Sequence, residues 1–170
     1  MTYTPQPGDI GLSSSTGPIG KFIRTAQAII GDHTFVTHAF IVLPGGDIIE
    51  AMPKGATFAK LDKYPDAVFS RFQLTLDQRD GICAEAIRMY GTPYSFLDYL
   101  SLGLTHINFH PEKVRKYVQD SGHLICSQLV SEAYLRAGVE LFPDKRLSLD
   151  VTPGDLSRLF LEQSGLTLEG

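Results

Sequence analysis

Between Thr37 and Leu74, short runs of β-branched and aromatic residues alternate with turn signals, which restricts this half of the chain to an antiparallel sheet. Thr37–Leu43 (Thr-His-Ala-Phe-Ile-Val-Leu) has the composition of a strand. Pro44-Gly45-Gly46-Asp47 is a hairpin turn signal, and Ile48–Met52 is the return strand. Pro53-Lys54-Gly55 turns the chain again before Ala56–Leu61, and Tyr64-Pro65-Asp66 separates that run from Ala67–Leu74. Connections this short predict an antiparallel meander. Asp9–Ser13, after Pro5, Pro7 and Gly8, is an earlier strand candidate.

Helical spacing dominates the rest. Pro18 opens one amphipathic run, with Ile19, Phe22, Ile23, Ala26, Ile29 and Ile30 on one face. A second run goes from Leu76 to Tyr90, with Ile82, Cys83, Ala86, Ile87 and Tyr90 as its apolar face. Ser95–Leu104 and Pro111–Gln119 are shorter candidates. Leu129, Val130, Ala133, Tyr134 and Ala137 then recur at helical spacing behind Cys126, with Gly138 as the stop. Thr152 is a cap for a last helix that has Pro153 in its first turn. Strands gathered early and helices late give an α+β domain. The expectation is one domain over residues 1–170, a curved, partly barrel-like antiparallel sheet with helices on one face.

Composition narrows the function. The net charge of -4 and the absence of a basic run argue against a nucleic-acid partner. Two cysteines in 170 residues are no disulfide framework. The N-terminus lacks the cationic start and apolar run of a signal peptide, and no stretch approaches the ~20 apolar residues of a membrane span. The expected location is a reducing cytoplasm, with release by lysis or inside a phage-type particle left open. The oligomeric state is undetermined.

Chemistry gathers around Cys126. A thiol near a helix N-terminus faces exposed backbone N–H groups and the positive end of the dipole, both of which favour thiolate. The bland alternative is a small buried hydrophobe, which most intracellular cysteines are. Cys83, in the middle of an apolar helix face, is read that way. A cysteine nucleophile needs a base, and the base an orienting partner. His38 lies within a strand and shares a face with Phe40 and Val42. If the hairpin turns at Gly45-Gly46, Val42 falls opposite about Ile49, and His38 lies a few residues beyond Glu50. A bulge, or an approach from a neighbouring strand, would then be needed to bring Glu50 beside His38. A core histidine and a solvated carboxylate are the competing reading. His33 reads as a surface residue, and His123 is too close in sequence to Cys126 to be its base. His106 and His110 have metal-binding spacing but lack a third ligand, so neither metal nor other cofactor is expected. No phosphate-binding glycine motif or Gly-x-Ser-x-Gly is present.

Several motifs in order resemble the permuted branch of the NlpC/P60 papain-like superfamily, the YiiX-like and LRAT-like groups. They are Pro7-Gly8-Asp9-Ile10, His38-Ala39-Phe40-Ile41-Val42, Ile48-Ile49-Glu50-Ala51, Gly91-Thr92-Pro93-Tyr94, Cys126-Ser127-Gln128-Leu129-Val130 and Thr152-Pro153-Gly154-Asp155-Leu156. Together they span roughly residues 7 to 159. In that family histidine and polar residue precede the cysteine, as here. The resemblance implies a circularly permuted papain-like fold, with Cys126 as nucleophile, His38 as base, Glu50 as orienting residue and Tyr94 near the nucleophile as a substrate or oxyanion contact. Unlike many wall-cutting members, this chain is expected to have neither a signal peptide nor a second domain.

The implied activity is thiol acyl transfer through an acyl-enzyme. Its first form is a cysteine peptidase or amidase acting on a peptide, such as a peptidoglycan peptide. Its second is a lipid-directed thioesterase or acyltransferase of LRAT-like type, with Phe96, Leu97, Tyr99, Leu100, Leu102 and Leu104 as a candidate groove for an acyl-lipid substrate. The third reading is a non-catalytic binding domain.

Overall fold

The computed structural model describes residues 3–14, 36–52, 55–92, 123–148 and 151–163. The helices expected around Pro18–Ile30, Ser95–Leu104 and Pro111–Gln119 lie outside them, as do Tyr94 and the Phe96–Leu104 run.

Five antiparallel strands form one sheet: β1 (Ile10–Ser13), β2 (His38–Val42), β3 (Asp47–Met52), β4 (Gly55–Lys60) and β5 (Val68–Phe69). The described helices are α1 (Leu76–Arg88), α2 (His123–Arg136) and α3 (Pro153–Gln163). The architecture is therefore α+β. The β2–β3 connection is a short 3₁₀ turn, Pro44–Gly46, in which Gly45 and Gly46 both take φ of 77°. Residues with a Cβ rarely adopt that conformation.

Two expectations about the sheet are corrected. Its order is β4-β3-β2-β1-β5, so the last strand does not continue the meander beside β4. It crosses to the far edge and pairs with β1 through Gly11↔Phe69 and Leu12↔Val68. Ser70 extends that pairing, because its N–H donates to Ile10 O and its hydroxyl accepts from the Ile10 N–H. The reason lies in the connection: Leu61–Lys63 forms a 3₁₀ turn, and the Tyr64–Ala67 turn follows it. This segment is too long for a tight hairpin, and its apolar residues bury against the sheet. Nor is the sheet closed into a barrel. Among the described residues β4 and β5 end it and do not pair with each other.

Alternation along the strands gives the sheet two buried faces. One carries Ile10, Leu12, Ala39, Ile41, Ile49 and Ala51, and packs with Ile82, Ala86, Leu129, Val130 and Ala133 of α1 and α2. The other carries Phe40, Val42 and Ile48, covered by Leu61, Tyr64 and Ala67 of the β4–β5 crossover and by Phe69 of β5. Gly11 makes this second packing possible. A Cβ there would lie 2.2 Å from ring atoms of Phe40.

The helices begin and end where local chemistry requires. Thr75 caps α1 in a capping box with Gln78, each side chain bonding the other's backbone N–H. Thr152 does the same for α3 with Asp155. Gly138, at φ 74°, ends α2: its N–H donates to Leu135 O, and that of Val139 to Tyr134 O, the paired bonds of a Schellman turn. On α1 the expected apolar face is only partly buried. Ile82, Cys83 and Ala86 are buried, whereas Ile87 and Tyr90 are exposed, Tyr90 lying past the helix end and stacking on Phe58.

Candidate active site

The helix bearing Cys126 is anchored by its own apolar stripe. Leu129, Val130, Ala133 and Tyr134 are fully buried, and α2 packs against β2, β3 and α1. Tyr134 also donates to Gly8 O at 2.5 Å, tying α2 to the N-terminal turn. That turn is itself held by a buried ion pair. Asp9 is 0% exposed and accepts from Arg79 Nη1 at 2.8 Å, Tyr3 Oη at 2.6 Å and the Gln6 N–H at 2.7 Å. The Pro7-Gly8-Asp9-Ile10 motif is thus a clasp between β1, α1 and α2. Cys126, the fourth residue of α2, lies in its first turn and is 0% exposed. Ser127, next to it, donates to Val151 O at 2.5 Å and joins the same turn to the start of α3.

His38 is the first residue of β2. Its Nε2 lies 2.7 Å from Glu50 Oε2, and its ring also hydrogen-bonds the Cys126 side chain. With Nε2 engaged by the carboxylate, Nδ1 is the ring nitrogen that remains for the thiol. Of the two expected routes, the paired residues show no bulge, and Glu50 reaches His38 from the neighbouring strand β3. Phe40 pairs with Glu50, Ile41 with Ile49 and Val42 with Ile48, one residue away from the register expected. Glu50 therefore shares a face with Phe40 and is the diagonal neighbour of His38, a separation long side chains can span. The thiol belongs to the helix-side core and the carboxylate to the opposite face; His38, at the start of its strand, touches both.

Glu50 is 1% exposed at its side chain, and its two oxygens take three donors. Oε2 accepts from His38 and, at 2.5 Å, from the Tyr64 hydroxyl; Oε1 accepts from Lys63 Nζ. The Tyr64 ring stacks on Phe40 at 5.0 Å and lies tilted 5.3 Å from the His38 ring. In the sequence Tyr64 reads only as a turn residue, and Lys63 carries no mark of a site. Nothing local marks them, because they reach Glu50 only through the crossover of the sheet.

The electrostatics follow from these contacts. Burial acts to raise the Glu50 pKa, but hydrogen bonds from His38, Lys63 and Tyr64 outweigh it and bring the carboxyl down to about 2. Burial acts to lower the His38 pKa, but the bonds to Cys126 and Glu50 outweigh it and carry the imidazolium up to about 9. Burial, then the Glu50 bond, raise the Tyr64 phenol well above its ordinary value. Cys83 is also buried, at 5% exposure; burial pushes its thiol up, and its sulfur contacts Val42 O at 3.7 Å.

Of the four residues singled out in the sequence, Cys126, His38 and Glu50 come together, and Tyr94 lies outside the described residues, as do His33, His106 and His110. Among the described residues no group of three His, Cys, Asp or Glu side chains is placed to hold a metal ion. No described helix is long and apolar enough to cross a membrane. Compared with protein-family models, curated proteins and solved structures, the chain matches none.

Proposed function

We propose that this protein is a cysteine hydrolase of permuted papain-like type that cleaves an amide or peptide bond through an acyl-enzyme. The observation that carries this reading is the continuous chain from Cys126 through His38 to a buried, anionic Glu50. In the reaction His38 takes the thiol proton at Nδ1, while Glu50 holds Nε2–H and stabilises the imidazolium. The Cys126 thiolate attacks the carbonyl carbon, and backbone N–H groups at the start of α2 meet the oxyanion. The imidazolium then protonates the leaving amine as the C–N bond breaks. Water, deprotonated by His38, adds to the thioester and releases the acid and the free thiol. A peptidoglycan peptide is the first substrate class to try. An acyl-lipid substrate, with a lipid or amine acceptor in place of water, is the second.

The test is site-selective alkylation. Iodoacetamide near neutral pH should label Cys126 well ahead of Cys83, and His38→Ala should abolish that preference. Because Cys126 is shielded in this structure, the labelling reads access as well as ionisation. Equal, slow labelling of both cysteines would remove the mechanism. Muropeptides and fatty-acyl esters, assayed with Cys126→Ala as control, then separate peptidase from lipid-directed chemistry; no turnover of either class, with Cys126 still reactive, favours a binding domain.

A further inference from the structure

Glu50 carries more donors than the orientation of one imidazole requires. A carboxylate has about four acceptor sites, and the bond that aims His38 fills one of them. Here the Tyr64 hydroxyl shares Oε2 with His38, and the Lys63 ammonium takes Oε1. Both donors come from the 61–67 crossover, whose path over the sheet is set by the pairing of β5 with β1. The Tyr64 ring lies against both Phe40 and His38, whose own ring centres are 6.3 Å apart, so the three rings form one cluster that holds the Tyr64 hydroxyl in place. Lys63 is half-exposed and lies 5.1 Å from the Tyr64 ring centre.

We infer that Tyr64, assisted by Lys63, is a positioning residue for this site: it keeps Glu50 ionised and aimed so that His38 presents Nδ1 to Cys126. Tyr64 touches neither substrate nor the reacting bond in this role, and acts through Glu50. The inference rests on the Cys-His-Glu reading for its link to catalysis, but its effect on Glu50 stands apart from that reading. The charged and titratable groups that face Glu50 among the described residues are His38, Lys63 and Tyr64, with Cys126 behind His38. Removal of a donor leaves the buried carboxylate less well solvated, so it takes up its proton at higher pH.

The experiment follows the His38 ring nitrogens by NMR through an acid titration, beside the pH profile of Cys126 alkylation, in the wild type, Tyr64→Phe and Lys63→Met. Tyr64→Phe retains the ring and its stacking and removes only the donor. The acid-range step in the His38 signals, which reports Glu50 protonation, should move up by roughly half a pH unit or more in Tyr64→Phe. The acid limb of Cys126 labelling should move in the same direction, with a smaller shift in Lys63→Met because that bond is exposed to solvent. His38 titrations that superimpose in the wild type and Tyr64→Phe overturn the inference and leave Tyr64 a packing residue. An inert Cys126 in a protein whose His38 step still shifts sustains the positioning role and removes the hydrolase reading instead.

Discussion

Glu50 lies diagonally across the β2–β3 pair from His38, with Oε2 at 2.7 Å from Nε2, and the residue directly opposite Glu50 is Phe40. This diagonal is possible because both side chains leave the sheet on the same face, and His38 is the first residue of its strand. Glu50→Gln preserves the shape and removes the charge. At pH 6 it should slow Cys126 alkylation on the order of 100-fold, because the amide favours the wrong tautomer and no longer stabilises the imidazolium. The gap should narrow near pH 10, where thiolate forms without help. Measured rate constants for the two proteins across that range check this.

The bonds of His38 to Cys126 and Glu50 make stability depend on pH in opposite directions at the two ends. His38 rises from an ordinary 6.5 to about 9, so its contribution is complete below 6.5 and is lost as pH climbs through 9. Glu50 falls from an ordinary 4.5 to about 2, so its contribution is complete above 4.5 and is lost as pH drops toward 2. The difference in thermal midpoint between the wild type and His38→Ala should therefore be largest between about 4.5 and 6.5 and shrink on either side. Turnover of any acyl substrate should fall above about pH 9, where His38 no longer carries the proton for the leaving group. A midpoint difference that stays constant from pH 4 to 10 would contradict the pairing.

Arg79 bridges α1 to the N-terminal turn, its Nη1 donating at 2.8 Å both to Asp9 Oδ1 and to Pro7 O. Removal of one partner from a buried ion pair leaves the other charge uncompensated, at a cost of about 3–5 kcal/mol. Arg79→Met should lower the unfolding free energy by that order in urea titrations. Asp9→Asn combined with Arg79→Met should recover part of the loss, because no lone charge is left buried. If the double variant is no better than the sum of the singles, the two residues do not act as a pair.

Gly11 is where β1 admits the Phe40 ring, and the ring in turn supports Tyr64. Gly11→Ala puts a methyl 2.2 Å from atoms of the fully buried Phe40 ring. Overpacking of this kind costs typically about 1–3 kcal/mol. The variant should melt earlier and, because Phe40 must move against Tyr64, label more slowly at Cys126. A Phe40→Leu change placed beside it should restore part of the stability. An unaltered melting midpoint in Gly11→Ala would mean that Phe40 has another place to go.

What could be read from the sequence is what depends on neighbouring residues. The strand runs at 37–43 and 48–52 and the turn between them follow from β-branched content and Pro-Gly-Gly chemistry, and they reappear as β2 and β3. The stripe from Leu129 to Tyr134 and the stop at Gly138 follow from helical period and from a glycine at positive φ. Cys83 reads as a core thiol for the same reason, being flanked by apolar residues at helical spacing. Cys126, His38 and Glu50 could be nominated by residue type and order, but their meeting required three separate elements to dock.

Only the tertiary structure decided the rest. A register offset of one residue made a diagonal approach from the neighbouring strand, rather than a bulge, the route from Glu50 to His38, and hairpin register depends on turn geometry that composition does not specify. The pairing of β5 with β1 rather than β4 depends on which sheet edge and which apolar face are open, a competition between distant segments that leaves no local pattern. That crossover brings Lys63 and Tyr64 onto Glu50. Spacing along a chain encodes period and turn, whereas the surroundings of a buried carboxylate are set by segments that meet only when the whole sheet is assembled.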